Sequence, residues 1–327
     1  MNLRLTIKLA LGAALLLALH SNATDAVADE SSSRKAVLVT GASSGIGRNI
    51  AERLAREGFF VYGGARKEKD IAELSEIENI QGLRLDVTIQ ADIDAAVETV
   101  RAGNRGLYGI VNNAGVVVMG ILAETPESEL DFVFNVNVYG PYRITKAFAP
   151  LIIKSKGRIS NISSMAGIAA PPAYGVYSMS KHAIEAFTDS LAFEMGTVGV
   201  HVSTIQPGPY KSNAIASNCA RRKAQGYDPS SSLFPELANE LATLCTGDTN
   251  YPFPEPDAVA DAVLHALSSD APRDRYLAVT DRRHTEAMVR DLLKKLTEVN
   301  GNGHSLGFDR DEIISMLDEA QLQSDKM

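Results

Sequence analysis

A tyrosine and a lysine four residues apart have the types and the spacing needed to move a proton. Tyr177 and Lys181 lie in a stretch of helical period, and a spacing of four places both on the same face of a helix. A free phenol has a pKa of about 10, but a nearby ammonium favours the phenolate. We therefore expect Lys181 to lower the pKa of Tyr177 toward the working pH, where the phenol could act as a general acid or base.

A glycine-rich segment, residues 40–47 with the sequence TGASSGIG, could bind a dinucleotide. It follows a β-branched run and leads into a segment whose apolar residues Ile46, Ile50 and Leu54 are spaced by four. Glycines let the backbone turn tightly and approach a pyrophosphate, whose charge is stabilised by a helix N-terminus. The strand and helix context favours a dinucleotide site over an ordinary strand-turn-helix connection.

The residues after the second predicted strand favour NADP over NAD. Rossmann-type NAD sites present an acidic residue to the ribose 2′-hydroxyl there, whereas NADP sites leave the position neutral and add a cation. Residues 63–66, with the sequence GGAR, supply no carboxylate and one guanidinium, which can pair with a 2′-phosphate. We predict that Arg66 selects NADP and that Arg48 reinforces the preference, the alternative being that Arg66 is a solvated turn residue.

The elements that would position these residues alternate regularly along the chain. From residue 35 onward, short β-branched runs are separated by longer segments of helical period. This pattern predicts an α/β fold, a Rossmann-type doubly wound parallel sheet of about seven strands with helices on both faces. We expect a single catalytic domain over residues 35–280. The predicted strands are residues 36–40, 59–62, 83–85, 109–112, 158–162, 200–205 and 276–279.

Three segments depart from this alternation. Residues 1–28 have the charged start, short apolar run and small-residue cleavage pattern of a signal peptide. We expect an exported or lumenal protein, the alternatives being membrane association through an anchor at residues 7–23 and a cytoplasmic protein with a downstream start. Residues 208–256 are predicted to form a substrate lid. Residues 281–327 are predicted to form a helical extension, with helices near 283–296 and 309–322 and no assigned chemistry.

Composition excludes some classes of partner. The formal net charge is −8 and no basic cluster stands out beyond residues 221–223, so we expect no nucleic acid partner. Cys219 and Cys245 lack metal-ligand spacing, and we predict no metal site. We expect the two cysteines to be free buried thiols, with a single disulfide as the alternative.

Taken in order along the chain, these motifs resemble the compact branch of the short-chain dehydrogenase/reductase family, which carries TGxxxGIG and YxxxK. The resemblance implies catalytic roles for Ser164, Tyr177 and Lys181. Ser164 lies thirteen residues before the tyrosine, and Ser163 is the competing choice. Asn137 would hold a water on Lys181, or would bond backbone at a helix kink. The implied cofactor contacts are Gly41, Ser43, Ser44, Gly45, Ile46, Gly47, Arg66, Asp86, Val87, Asn113, Ala114, Gly115, Tyr177, Lys181, Pro207, Gly208 and Ser212.

The resemblance implies an NADP(H)-dependent oxidoreductase that interconverts an alcohol and a ketone or aldehyde by hydride transfer. The chain looks nearest to the hydroxysteroid and retinol dehydrogenase side of the family, so we expect a small lipophilic substrate. An apolar wall would come from residues 169–174 and from Leu233, Phe234, Leu237 and Leu241 in the lid. A non-catalytic NADP-binding regulator on the same fold is the alternative. Because relatives commonly pair through long helices, we expect a homo-oligomer.

Overall fold

A computed structural model describes residues 34–246, 253–300 and 307–324 of the chain. The predicted signal peptide or anchor therefore lies outside the described residues. Over the described ranges, no helix combines the length and the apolar character that crossing a membrane requires.

Seven parallel strands form one sheet, in the order β3-β2-β1-β4-β5-β6-β7. This confirms the predicted strand count and fold class. The strands are β1 (Ala36–Val39), β2 (Phe60–Ala65), β3 (Ile80–Arg84), β4 (Gly109–Asn112), β5 (Arg158–Ile162), β6 (His201–Pro207) and β7 (Arg275–Ala278).

Strand β2 runs three residues further than predicted, and β3 begins three residues earlier. Gly63 and Gly64 resemble turn residues in sequence, but they pair in register with Gly82 and Leu83 of β3. The glycines fit because a Cβ at Gly64 would come within 2.9 Å of the Leu85 side chain. Close packing against a neighbouring side chain therefore explains glycine in this strand.

Helices cover both faces of the sheet, as predicted. Val37 and Val39 of β1 face the core that contains α1 and α9, while Ala36 and Leu38 face the core that contains α3 and α5. The helices are α1 (Gly45–Arg56), α2 (Glu68–Ser75), α3 (Gln90–Ala102), α4 (Glu127–Asn137), α5 (Tyr139–Ser155), α6 (Gly175–Gly196), α7 (Ala214–Ala224), α8 (Pro235–Thr246), α9 (Asp257–Ser268), α10 (Arg282–Asn300) and α11 (Arg310–Ser324).

The strand order reverses direction beside β1, which pairs with β2 on one side and β4 on the other. In an open parallel sheet, the crevice at such a switch point lies beyond the carboxyl ends of the strands and is the usual ligand site. The sheet therefore places residues 40–47, 66 and 112–115 around one crevice.

The predicted lid segment contains helices α7 and α8, which a disulfide joins. Cys219 and Cys245 are bonded, with 5.4 Å between their Cα atoms, so the expectation of free thiols was wrong. The sequence spacing of 26 residues gave no sign of this, because the contact depends on how the two helices pack. A loop of this length stabilises its fold by about 3.5 kcal/mol through reduced entropy of the unfolded chain.

Helix α7 is also tied to the body of the domain by polar contacts. The Glu129 carboxylate of α4 accepts two hydrogen bonds of 2.7 Å from Arg221, and these bonds are the largest influence holding the pKa of Glu129 below its usual value. Asn218 Oδ1 accepts from the Met119 amide at 2.9 Å, and Arg222 donates to the Met119 carbonyl at 3.0 Å. These contacts hold α7 against residues 116–129.

Candidate active site

A cleft of about 1910 Å³ runs along the carboxyl edge of the sheet. All seventeen sequence-predicted cofactor contacts line it, from Gly41 to Ser212, and so does Ser164. The fold thus brings together residues that lie up to 171 positions apart in sequence, Gly41 and Ser212 being the extremes. Among the described residues, no group of three or more His, Cys, Asp or Glu side chains could hold a metal ion.

The glycine loop requires glycine at three positions, because a side chain there would strain the backbone or clash with neighbouring atoms. Gly41 and Gly45 have φ values of +66° and +55°, a region that side chains disfavour. A Cβ on Gly47 would lie 2.2 Å from the Gly41 carbonyl oxygen and 2.3 Å from Asn113 Nδ2. Helix α1 begins at Gly45, so its free N–H groups border the cleft, where they could hold a pyrophosphate.

The segment after β4 fastens this loop. Asn113 Nδ2 donates to the carbonyls of Thr40 and Gly41 at 2.9 and 3.2 Å. Thr40 Oγ1 accepts from the amides of Asn113 and Ala114, both at 3.0 Å. The structure therefore shows a role for the Asn113 side chain, as an anchor of the loop, that the sequence did not indicate.

Charged residues border the proposed nucleotide end of the cleft, among them Arg48, Arg66 and Asp86. Arg66 is exposed directly after β2. Asp86 Oδ1 accepts from the amide and hydroxyl of Thr88 at 2.9 and 2.7 Å, so Asp86 stabilises the turn before α3 as well as lining the cleft. Arg48 forms an ion pair with Glu52 one turn along α1, and part of its charge is neutralised there.

Ser164, and not Ser163, faces the tyrosine. The Ser164 side chain lies near enough to the Tyr177 hydroxyl to oppose the rise of its pKa, and the Ser164 oxygen accepts from the Ala166 amide at 3.1 Å. Ser163 is buried on the other side, beside Glu185, and its hydroxyl has no hydrogen-bond partner among the described residues. The spacing argument for Ser164 therefore agrees with the geometry.

Lys181 lies beneath the tyrosine ring and is almost fully buried. Its side-chain nitrogen is 5.6 Å from the Tyr177 ring centroid and donates to the Ile162 carbonyl at 2.8 Å. Burial lowers the pKa of Lys181 to about 8, and the nearby Glu185 carboxylate opposes that change.

The expected lowering of the Tyr177 pKa does not occur in the protein by itself. Burial raises the pKa of Tyr177 to about 12, and the nearby Ser164 opposes that change. The physical reason is that the phenolate of a buried ring would be poorly solvated.

Asn137 is buried behind the cleft and does not line it. It is the last residue of α4, where the chain breaks before α5. Its amide bonds both the N–H and the carbonyl of Val116, at 2.8 and 2.9 Å, and donates to Ser180 at 3.0 Å. Asn137 therefore bonds backbone at the helix break, as the alternative interpretation expected, although the backbone is that of Val116.

The substrate end of the cleft differs from the prediction. Ala169, Ala170, Pro171, Pro172 and Tyr174 line it as expected. The four lid residues do not: Leu237 and Leu241 pack with Met119 and Ile121, while Leu233 is 82% exposed and Phe234 is exposed. The expected lid contribution to the apolar wall was therefore wrong for these residues.

Helix α10 contributes instead, although the sequence suggested no chemistry for it. His284, Ala287, Met288 and Asp291 line the cleft, at spacings of three and four that place them on one helical face. Lys295 donates to the Ile168 carbonyl at 3.0 Å, which ties α10 beside the segment that carries Ser164. The sequence predicted a helix near residues 283–296, but not the segment against which it packs.

Comparisons with known proteins agree with this arrangement. The family model of the short chain dehydrogenases matches residues 35–223. Mitochondrial D-beta-hydroxybutyrate dehydrogenase of Rattus norvegicus is 35% identical over 269 residues, which are 76% of this chain and 77% of the relative. Retinol dehydrogenase 7 of Rattus norvegicus is 34% identical over 267 residues, 76% and 82% of the two chains.

Two further similarities bear on cofactor and fold. An NADPH-dependent 3-dehydrocapnine reductase of Ornithobacterium rhinotracheale is 32% identical over 283 residues, 80% of this chain and 98% of the relative. The crystal structure of a short-chain dehydrogenase from Streptomyces avermitilis superposes with a TM-score of 0.68 at 29% identity, covering 81% and 96% of the chains. The fold, the glycine loop and these similarities together show that the chain belongs to the short-chain dehydrogenase/reductase family.

Proposed function

We propose that this protein is an NADP(H)-dependent oxidoreductase that interconverts a lipophilic alcohol and its ketone or aldehyde. The observation that carries the proposal is that Ser164 and Tyr177, with Lys181 beneath the ring, line the same cleft as the glycine loop. A nicotinamide bound there would supply the hydride and, in its oxidised form, a positive charge.

The roles of the three residues follow from their protonation and position. A phenol whose pKa is about 12 is protonated at neutral pH, so Tyr177 can donate its proton to the oxygen of a carbonyl undergoing reduction. The Ser164 hydroxyl can hold that same oxygen. The Lys181 ammonium stabilises the phenolate that remains after the transfer. In alcohol oxidation, Tyr177 takes the proton back.

The proposed preference for NADP rests on Arg66. Its guanidinium is exposed at the end of β2, where the 2′-substituent of an adenine ribose would lie in a Rossmann-type site. The NADPH-dependent reductase among the relatives supports this choice. A lipophilic substrate is supported by the apolar residues 169–172 and Met288 in the cleft and by the retinol dehydrogenase relative.

We also propose that the protein works in an exported or lumenal compartment and as a homo-oligomer. The Cys219–Cys245 bond supports the compartment, because disulfides persist mainly outside the reducing cytosol. Sequencing the N-terminus of the mature protein would test it: a start near residue 29 is expected, and a retained Met1 would contradict cleavage. Light scattering at several concentrations would test the oligomeric state, and a mass of one chain throughout would contradict it.

The reaction is tested by NADPH consumption with a panel of apolar ketones and aldehydes, comparing the wild type with Tyr177→Phe. Loss of the proton donor should reduce kcat by about 10²- to 10⁴-fold, while the affinity for NADPH stays close to that of the wild type. Phenylalanine keeps the ring and its packing, so a fold defect is not expected. If the intact wild type binds NADPH but turns over no substrate of the panel, the alternative of a non-catalytic NADP-binding regulator would be favoured.

A further inference from the structure

Four chemistry-bearing side chains follow one face of α6 at spacings of four residues. Tyr177 and Lys181 belong to the proposed reaction. Glu185 and Asp189 continue the same line away from the cleft. Glu185 is only 7% exposed, and the proposed chemistry makes no use of it. A buried carboxylate without a role is costly, so its partners indicate what it does.

The Glu185 carboxylate is surrounded by groups from three strands. Gln206 of β6 donates to it at 3.1 Å, and the Arg275 guanidinium of β7 approaches to 3.6 Å. Ser163, directly after β5, is a buried neighbour of Glu185. Arg275 is half-exposed and forms a second ion pair with Asp189. Only part of the Arg275 charge is therefore available to Glu185.

The charges alternate in sign from the cleft to the protein surface. Lys181 is positive, Glu185 negative, Arg275 positive and Asp189 negative. Lys181 is 5% exposed and donates to a neutral carbonyl, that of Ile162. Residues four apart on a helix are neighbours, so Glu185 is the carboxylate on α6 nearest to this buried ammonium. Opposite charges at that separation favour the ionised form of each other.

We propose that Glu185 is a positioning residue whose carboxylate keeps Lys181 in its ammonium form at the working pH. This inference rests on the proposed function of Tyr177 and Lys181. Burial alone favours the neutral amine, and a neutral amine would no longer stabilise the Tyr177 phenolate. Glu185 offsets the burial through charge without contacting substrate, while Arg275 limits the effect by partly neutralising the carboxylate.

Two variants with opposite predicted effects test the charge mechanism. Glu185→Gln removes the charge but preserves the shape and a hydrogen-bonding amide. The alkaline midpoint of the kcat profile for carbonyl reduction should then move to lower pH by about one pH unit. Arg275→Gln leaves the Glu185 charge less compensated, so the same midpoint should move to higher pH. General damage to packing would not give shifts of opposite sign.

Asp189→Asn is the matched control, because it removes a carboxylate from the same helical face at an exposed position. It should move the midpoint to lower pH by no more than about 0.3 pH units, because the Arg275 charge that it releases toward Glu185 is exposed and therefore strongly screened. Glu185→Asp, which restores a carboxylate, should recover part of the wild-type profile. A Glu185→Gln midpoint equal to that of the wild type, in a variant that binds NADPH normally, would overturn the proposal.

A measurement that does not depend on turnover separates this inference from the proposed function. The titration of Lys181 can be followed by NMR of ¹³C-labelled lysine in the full chain, with Lys181→Met used to assign the signal. A lower titration midpoint in Glu185→Gln supports the effect of Glu185 on the ammonium even if the wild type turns over no substrate, in which case the proposed function alone fails. An unchanged midpoint refutes the inference whatever the activity.

Discussion

Replacing Gly47 with alanine would place a methyl carbon 2.2 Å from the Gly41 carbonyl oxygen and 2.3 Å from Asn113 Nδ2. Neither neighbour can yield easily, because one is backbone and the other donates to the carbonyls of Thr40 and Gly41. Losing these two hydrogen bonds costs about 2 kcal/mol, and overpacking adds at least about 1 kcal/mol. The native loop is thus disfavoured by about 3 kcal/mol, which corresponds to an increase in the Kd for NADPH of about 150-fold.

Isothermal titration of NADPH and urea unfolding would measure this effect, with two glycine variants as controls. At Gly45 an added Cβ would lie 3.4 Å from its nearest neighbour, but the backbone has a φ of +55°. Gly45→Ala should therefore raise the Kd for NADPH by about tenfold, through backbone strain of about 1–2 kcal/mol. Gly196→Ala in α6 meets nothing within 4 Å and should stabilise the protein by about 0.5 kcal/mol. An NADPH affinity for Gly47→Ala within threefold of the wild type would refute the reasoning.

Three further predictions concern the cofactor, the lid and pH. Arg66→Ala should lower the ratio of kcat/KM for NADPH over NADH by about 10- to 100-fold, through loss of a charged hydrogen bond; an unchanged ratio would show that another group selects the phosphate. Cys219→Ser combined with Cys245→Ser should weaken α7 and α8 by up to about 3.5 kcal/mol, seen as faster proteolysis within residues 225–234 and contradicted by equal cleavage rates. Because the folded-state pKa of Lys181 is about 8, the unfolded chain binds more protons than the folded one above that pH, so the free energy of unfolding should rise between about pH 8 and 10. Lys181→Met should reduce that rise, and parallel curves for the two proteins would contradict the assignment.

Local patterns were sufficient to predict the sheet and to identify the residues that line the glycine-loop half of the cleft. Residues 40–47 carry their own signature, since the glycines, the preceding strand and the following helix are contiguous. Ser164 and Tyr177 are thirteen residues apart, and the turn after β5 and the first turn of α6 place both in the same cleft. The strand boundaries were less accurate at Gly63 and Gly64, where pairing with β3 outweighs the turn preference of glycine.

Features that depend on long-range packing were not predictable from the sequence. The Cys219–Cys245 bond requires two lid helices to lie side by side, and the contribution of α10 depends on contacts such as that of Lys295 with Ile168, 127 residues away. The pKa of Tyr177 depends on how completely the ring is desolvated, which spacing does not reveal. Leu233 and Phe234 have the composition of a pocket wall, but both are exposed and neither lines the cleft.

Because α10 packs at one end of the cleft, nucleotide binding and substrate selection are expected to depend on different parts of the chain. The proposed nucleotide contacts lie within residues 41–212, whereas His284, Met288 and Asp291 line the proposed substrate end of the cleft from a helix that follows the last strand. Substitutions confined to that helix can therefore change which alcohols are accepted without altering the binding of the dinucleotide. Exchanging the C-terminal extension between related chains would be a practical route to new substrate ranges on an unchanged nucleotide-binding scaffold.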